Sequence, residues 1–198
     1  MGFVNTHGDA SATGHKMNSS DSPPIIAQTV TLRLFVPEDA SKALVMSQES
    51  GSRMWLPDQV YENEAGALEA MLYLIEKCHD PGMPSVGPYV LGVCLNDTRE
   101  LIGHVGLSPF KGEVEIGYAI EDVHQGKGLA AQAVRAMSDW GLARFALPRI
   151  LGIVSAENVA SCRVLQRAGF DLVEEWMGKL HGRSGLIRQY EKVSQIAN

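Results

Sequence analysis

Nowhere does this sequence carry eighteen or more apolar residues in a row, so no segment is long enough to cross a bilayer as a helix. Cysteine is scarce. Cys78, Cys94 and Cys162 are scattered, odd in number and never spaced C-x-x-C, which suggests neither a disulfide framework nor a zinc site. A reducing cytoplasm is the natural setting, and no metal is expected. Basic charge is short as well. Lys and Arg total 17 against 23 Asp and Glu, a formal net charge of −6, which argues against nucleic acid as a partner and suits a cationic one such as an amine. The P-loop string G-x-x-x-x-G-K-S/T is also missing, which removes the commonest nucleotide-phosphate motif.

The first two dozen residues lack apolar periodicity. Met1 to Pro24 is rich in Ser, Gly, Asn, Asp and Thr and reads as a disordered tail. The expected division is therefore a tail over 1–25 and one domain over 26–198, since 198 residues suffice for one core and are short for two. The tail has no apolar stretch of the secretory kind. Its start, Met1-Gly2-Phe3-Val4-Asn5-Thr6, formally fits the myristoylation pattern M-G-x-x-x-S/T, but Phe3 is bulky and a solvated tail is the better reading.

What is present begins with strand-like runs, the first of them, Thr29 to Phe35, alternating. Thr29 to Phe35, Tyr89 to Leu95, Leu101 to Leu107 and Glu113 to Ile120 read as strands, the middle pair joined by a hairpin at Asn96 to Arg99. Pro37-Glu38-Asp39 opens a helix running through Ala43 and Met46. Asn63 to Cys78 has helical spacing, whereas Ser50 to Tyr61 and His79 to Pro88 read as loops. Leu129 to Phe145 is a helix, and Met137 and Trp140 in it are core candidates. Arg149 to Val154 is a short strand. Asn158 caps a short helix to Ala168, with Gly169 at its C-terminal end. Phe170 to Met177 and Leu186 to Glu191 form a last hairpin through His181 to Gly185. The fold class is α/β in the α+β sense, a mixed sheet of six or seven strands flanked by about four helices.

The loop between the fourth strand and the Leu129 helix carries the chemistry. Gln125-Gly126-Lys127-Gly128-Leu129-Ala130 places two residues without Cβ at the mouth of a helix. The first N–H groups of a helix lack internal partners and its dipole favours anions there, so the loop reads as a pyrophosphate cradle. A dinucleotide loop is a poorer fit. Its third glycine is replaced by Ala131, and four strand-like runs come first, whereas that loop usually follows the first strand.

Read as Q-x-x-G-x-A, Gln125, Gly128 and Ala130 resemble the acyl-CoA signature of the GNAT acetyltransferase superfamily. Glu115-Ile116-Gly117-Tyr118 before the loop, and Asn158-Val159-Ala160-Ser161 and Ala168-Gly169-Phe170 after it, are similar to the RimJ/RimL-like branch. The resemblance covers roughly Thr29 to Glu191. It implies a single GNAT-like domain with a mostly antiparallel sheet, acting on an amine with acetyl-CoA as co-substrate. The acceptor stays open among a protein N-terminus, a polyamine, an aminoglycoside and an amino acid, and the assembly between monomer and homodimer.

The resemblance also assigns residues. Ile116, Gly117 and Tyr118 would hold pantetheine, and Gln125, Gly126, Lys127, Gly128, Leu129 and Ala130 the diphosphate, with Asn158 and Ser161 as further coenzyme contacts. Lys127 and Arg163 are candidates to neutralise phosphate. Glu115 is the preferred base, directly or through water, because partial burial raises a carboxyl pKa toward a useful range. Glu113 shares its face if the strand is regular. Many relatives place a tyrosine as acid five residues before the Phe of G-F, where this chain has Leu165, which turns attention to Ser161. His104 is a second candidate for the base. His124 is read as a solvent-facing loop residue, and Cys162 has no evident activating partner. Trp55 lines an acceptor cleft by analogy. Without the tyrosine, a sensor that binds acyl-CoA and does not turn it over remains an alternative.

Overall fold

A computed structural model describes residues 23–79 and 82–194. The expected tail up to residue 22, with its myristoylation pattern, lies outside the described residues. Eight strands make one sheet: β1 (Ile25–Ile26), β2 (Val30–Arg33), β3 (Tyr89–Leu95), β4 (Leu101–Phe110), β5 (Glu113–Ile120), β6 (Arg149–Ser155), β7 (Asp171–Leu180) and β8 (Arg183–Val193). Five α-helices accompany it: α1 (Ala40–Ser47), α2 (Ser50–Trp55), α3 (Glu64–His79), α4 (Leu129–Arg144) and α5 (Val159–Ala168). The spatial order is β1-β2-β3-β4-β5-β6-β8-β7, and all neighbours are antiparallel except β5 and β6.

The sheet is thus one strand larger than the upper expectation, and there is one more helix than the expected four. The extra strand is Ile25–Ile26, which pairs with Leu32 and Thr31. Two residues are too short to show a period of two. The extra helix is α2, six residues within the segment read as loop. It buries none of its residues, so it leaves no amphipathic signature. The last hairpin turns at His181-Gly182, both at positive φ, and its strands run longer than expected.

Alternation along β3 divides the interior in two. Leu91 and Val93 join a core with Ala133, Val134 and Met137 of α4. Cys94 joins a second one with Phe35, Ala43, Met46 and Met71 under α1 and α3. Met137 is fully buried in the core, and the half-buried Trp140 packs against it, stacking on Tyr89 with ring centroids 5.0 Å apart. The β3–β4–β5 meander is packed so closely that a Cβ on Gly103 would lie 2.1 Å from the Ala119 carbonyl oxygen. Gly103→Ala is expected to destabilise the fold by about 3 kcal/mol in urea unfolding; an unchanged midpoint would contradict this packing.

The feature that positions the site is the β5–β6 junction. Their one registered pair is Glu115 with Leu151, whereas β6 stays paired to β8 over all seven residues from Arg149 to Ser155. Following β8, β6 leaves β5 and the sheet opens toward the C-terminal ends of both strands. Arg149 pins the closed end, 2.6 Å from Glu113 and 3.1 Å from Glu191.

Candidate active site

A cleft of about 520 Å³ occupies this opening. Ile116, Gly117 and Tyr118 of β5 form one wall, Ile153, Val154 and Ser155 of β6 the other, and the mouth of α4 closes one end. At that mouth Gly126 and Gly128 have φ of +75° and +79°, a region costly for other residues. A Cβ at either would meet nothing within 4 Å, so conformation, together with the open space they face, makes these positions suit glycine. The first helical hydrogen bond here runs from Gln132 N–H to the Gly128 carbonyl. The N–H groups of Leu129, Ala130 and Ala131 are therefore available at the cleft, with the positive end of the helix dipole behind them.

Most residues assigned from sequence meet in this cleft: Ile116, Gly117, Tyr118, Gln125, Gly126, Gly128, Leu129, Ala130, Asn158 and Ser161 all line it. Their contacts distinguish them. The Gln125 side chain donates to the Ile120 carbonyl at 2.8 Å and to Asp122 at 2.9 Å, so it shapes the loop from within. Lys127 does not line the cleft; its ammonium donates to the Val123 carbonyl at 3.0 Å. Asn158 caps α5 by accepting the Ser161 N–H at 3.0 Å. The Tyr118 hydroxyl donates to the Ser161 carbonyl at 3.0 Å, tying β5 to α5 across the opening, and burial pushes its pKa up. The Ser161 hydroxyl has no protein partner among the described residues.

Leu165 is buried against β6, where a Cβ on Gly152 would come within 2.7 Å of it. The position at which relatives carry tyrosine is therefore filled by an apolar side chain packed on a strand. Cys162 is buried, outside the cleft lining, and Arg188 donates to its sulfur at 3.8 Å. His124 is less exposed than expected. It sits 3.6 Å from Glu121 and 3.9 Å from Glu100, and Lys42 lies 2.7 Å and 3.3 Å from the same two carboxylates. Sequence reading missed Arg167 and Arg183, which line the cleft with Arg163. Arg163 and Arg167 stand four apart on one helix, a spacing that places both on one face and could have revealed the second. Nothing local marks Arg183, whose guanidinium lies 5.5 Å over the Trp55 ring.

A second cleft of about 330 Å³ lies on the opposite face of β5, under α1, α2 and α3. Gly117 and Ala119 line both clefts, so the two meet at the middle of β5. Glu115 lines neither, yet it precedes Gly117 by two residues and so points to the same face as this second cleft. Burial raises its pKa above 4.5, opposed by the nearby charge of His181. Glu113 is held below the usual carboxylate range by its hydrogen bonds from Arg149 and sits at the closed end. His104, paired across from Ala119, lines the second cleft, and burial lowers its pKa to about 4. Trp55 lines the first cleft, where the α2 segment meets the tip of the β7–β8 hairpin; His181 reaches Asp58 there at 3.2 Å.

A splayed β5–β6 pair, a helix mouth carrying Gly126 and Gly128 at one end and a second cleft on the other face of β5 make up the candidate site. The Acetyltransferase (GNAT) domain family matches residues 29–171, and the chain belongs to this family. It is 33% identical over 103 residues to the uncharacterised N-acetyltransferase p20 of Bacillus licheniformis, covering 50% of this chain and 52% of that one. The chain thus spans about half the length of the curated relatives it matches. A GNAT-family acetyltransferase structure from Bacillus anthracis superimposes with a TM-score of 0.72 at 20% identity, covering 85% of this chain and 97% of the other. RimL, a ribosomal L7/L12 α-N-protein acetyltransferase solved with coenzyme A, gives 0.68 at 16% identity over 85% and 97%. At these identities the structures establish the fold. No described helix is long and apolar enough to cross a membrane.

Proposed function

We propose that this chain transfers the acetyl group of acetyl-CoA directly to a primary amine. The observation that carries the reading is the meeting of the two clefts at Gly117 and Ala119. A thioester lying along β5 would present its carbonyl at that point, and an amine entering from the other face could reach it without a covalent relay. The burial of Cys162 away from the cleft supports transfer without an acyl-enzyme.

In this mechanism the N–H groups at the mouth of α4 bind the coenzyme diphosphate. Arg163 and Arg167 add positive charge beside it, and Ile116 to Tyr118 hold the pantetheine arm. Glu115, its pKa raised by burial, takes the proton of the attacking ammonium through water. The Ser161 hydroxyl donates to the departing thiolate. Both a protein α-amine, as in RimJ/RimL-type enzymes, and a small amine are acceptors consistent with this chemistry. The cytoplasm suits the reaction, since Cys78, Cys94 and Cys162 are all free thiols.

Thiol release from acetyl-CoA across an acceptor panel tests the proposal, and turnover on one class establishes the activity. The apolar Leu165, where relatives have an acid, favours the sensor as the one competing reading. That reading predicts acetyl-CoA binding with no turnover on any amine.

A further inference from the structure

The second cleft has a composition that selects among amines. Phe35, Met46, Met71, Leu74 and Val90 give it an apolar wall. The Tyr61 hydroxyl, the His104 imidazole and the Ser108 hydroxyl line it without a hydrogen-bond partner among the described residues, and His104 is uncharged at neutral pH. None of its described lining residues is Lys or Arg. Its carboxylates differ in availability. Glu121 is paired with Lys42 at 2.7 Å and Asp58 with His181 at 3.2 Å. Glu49 accepts only the Asp122 N–H, at 3.1 and 3.2 Å to its two oxygens, and lies near Ser52, which lines both clefts.

We propose that the acceptor is a small amine on an apolar alkyl or aryl body that has no carboxylate of its own. The inference rests on the acetyl-transfer reading and names its acceptor class. Glu49 attracts one ammonium near the junction of the clefts, and the apolar wall takes the body. The partnerless Tyr61, His104 and Ser108 side chains can exchange a hydrogen bond with a hydroxyl on that body. A free amino acid would bring its carboxylate into a site with no cation to receive it, which is heavily penalised. A polyamine would have to set its further ammonium groups against the apolar wall or against Glu121 and Asp58, which already hold Lys42 and His181, and a peptide would bring backbone groups that the wall cannot satisfy.

The test compares phenethylamine and tyramine with phenylalanine, tyrosine, spermidine and a peptide beginning with Ser-Ala, using acetyl-CoA as donor. The apolar monoamines are expected to exceed each other class in kcat/KM by at least about 30-fold, consistent with the penalties for unpaired buried polar groups. Leu74→Lys, at a half-buried wall position, is expected to lower phenethylamine kcat/KM about 10-fold and to narrow its lead over phenylalanine, with the acetyl-CoA-induced rise in Tm unchanged. Calorimetric titration of each amine into the CoA complex gives a readout besides turnover. Preference for spermidine, the peptide or an amino acid, in either assay, overturns the acceptor assignment alone. Failure of acetyl-CoA to raise the Tm of the unaltered chain overturns the acetyl-transfer reading beneath it.

Discussion

Gly128→Trp is expected to weaken acetyl-CoA binding by at least about 100-fold, roughly 2.7 kcal/mol. Two effects combine. Gly128 holds φ at +79° as the residue that opens α4, and a residue with a Cβ costs about 1–2 kcal/mol in that region. Its missing side chain also faces open space on the lining of the cofactor cleft, so an indole there fills the volume a diphosphate would take. Gly112→Ala separates the two effects. Gly112 has a similar φ of +83° with nothing near its absent Cβ, but it lies in the β4–β5 turn and does not line the cleft. It should lose some thermal stability and keep its full affinity for acetyl-CoA. Unaltered calorimetric affinity in Gly128→Trp would remove the helix mouth from the cofactor site.

Glu115→Gln is expected to reduce kcat about 100-fold, the lower end of what a positioned base contributes, while acetyl-CoA affinity stays the same. The rise of kcat/KM with pH that reports the free carboxyl's ionisation should vanish with it. The same substitution should move stability in the opposite direction. In the folded chain this carboxyl titrates above 4.5 because burial disfavours its charge, whereas in the unfolded chain it titrates near its ordinary value. Below the unfolded pKa both states are protonated and the group is neutral to folding. As pH rises through the interval up to the folded pKa, the unfolded state ionises first and the fold loses stability, a deficit retained at neutral pH. Glu115→Gln should therefore unfold at a higher temperature than the parent at pH 8 and at nearly the same temperature at pH 4. A pH–rate profile left intact by the substitution would move the base elsewhere.

The sequence showed most of what repeats or turns sharply, and little of what depends on distant contacts. Strands β3 and β4 were legible as short apolar runs because both of their faces pack against a core, and β5 through the alternating burial of its first half. The cradle was legible because positive φ at Gly126 and Gly128 demands a residue type visible in one letter. Strand β1 and helix α2 were not, since two and six residues with no regular apolar face carry no period. Residue types also misled. Lys127 reads as a phosphate ligand beside two glycines, but its stem folds back on the Val123 carbonyl. Asn158 and Tyr118 combine lining with structural hydrogen bonds, and the partner of Tyr118 lies 43 residues along the chain. The second cleft was the least readable part. Its wall draws on Phe35, Met46, Met71 and Val90, four positions brought together only by the stacking of α1 and α3 on the sheet.

The hydrogen bond from Tyr118 to the Ser161 carbonyl ties β5 to α5 across the opening through protein atoms alone. Walls tied together in this way need not find one another when a nucleotide-tailed molecule arrives. Association should then proceed as a simple one-step encounter, with an observed rate linear in coenzyme concentration and no slow isomerisation phase following it. Tyr118→Phe would relax that brace, and a second, concentration-independent phase in stopped-flow traces would then be the kinetic sign of the walls having to find one another.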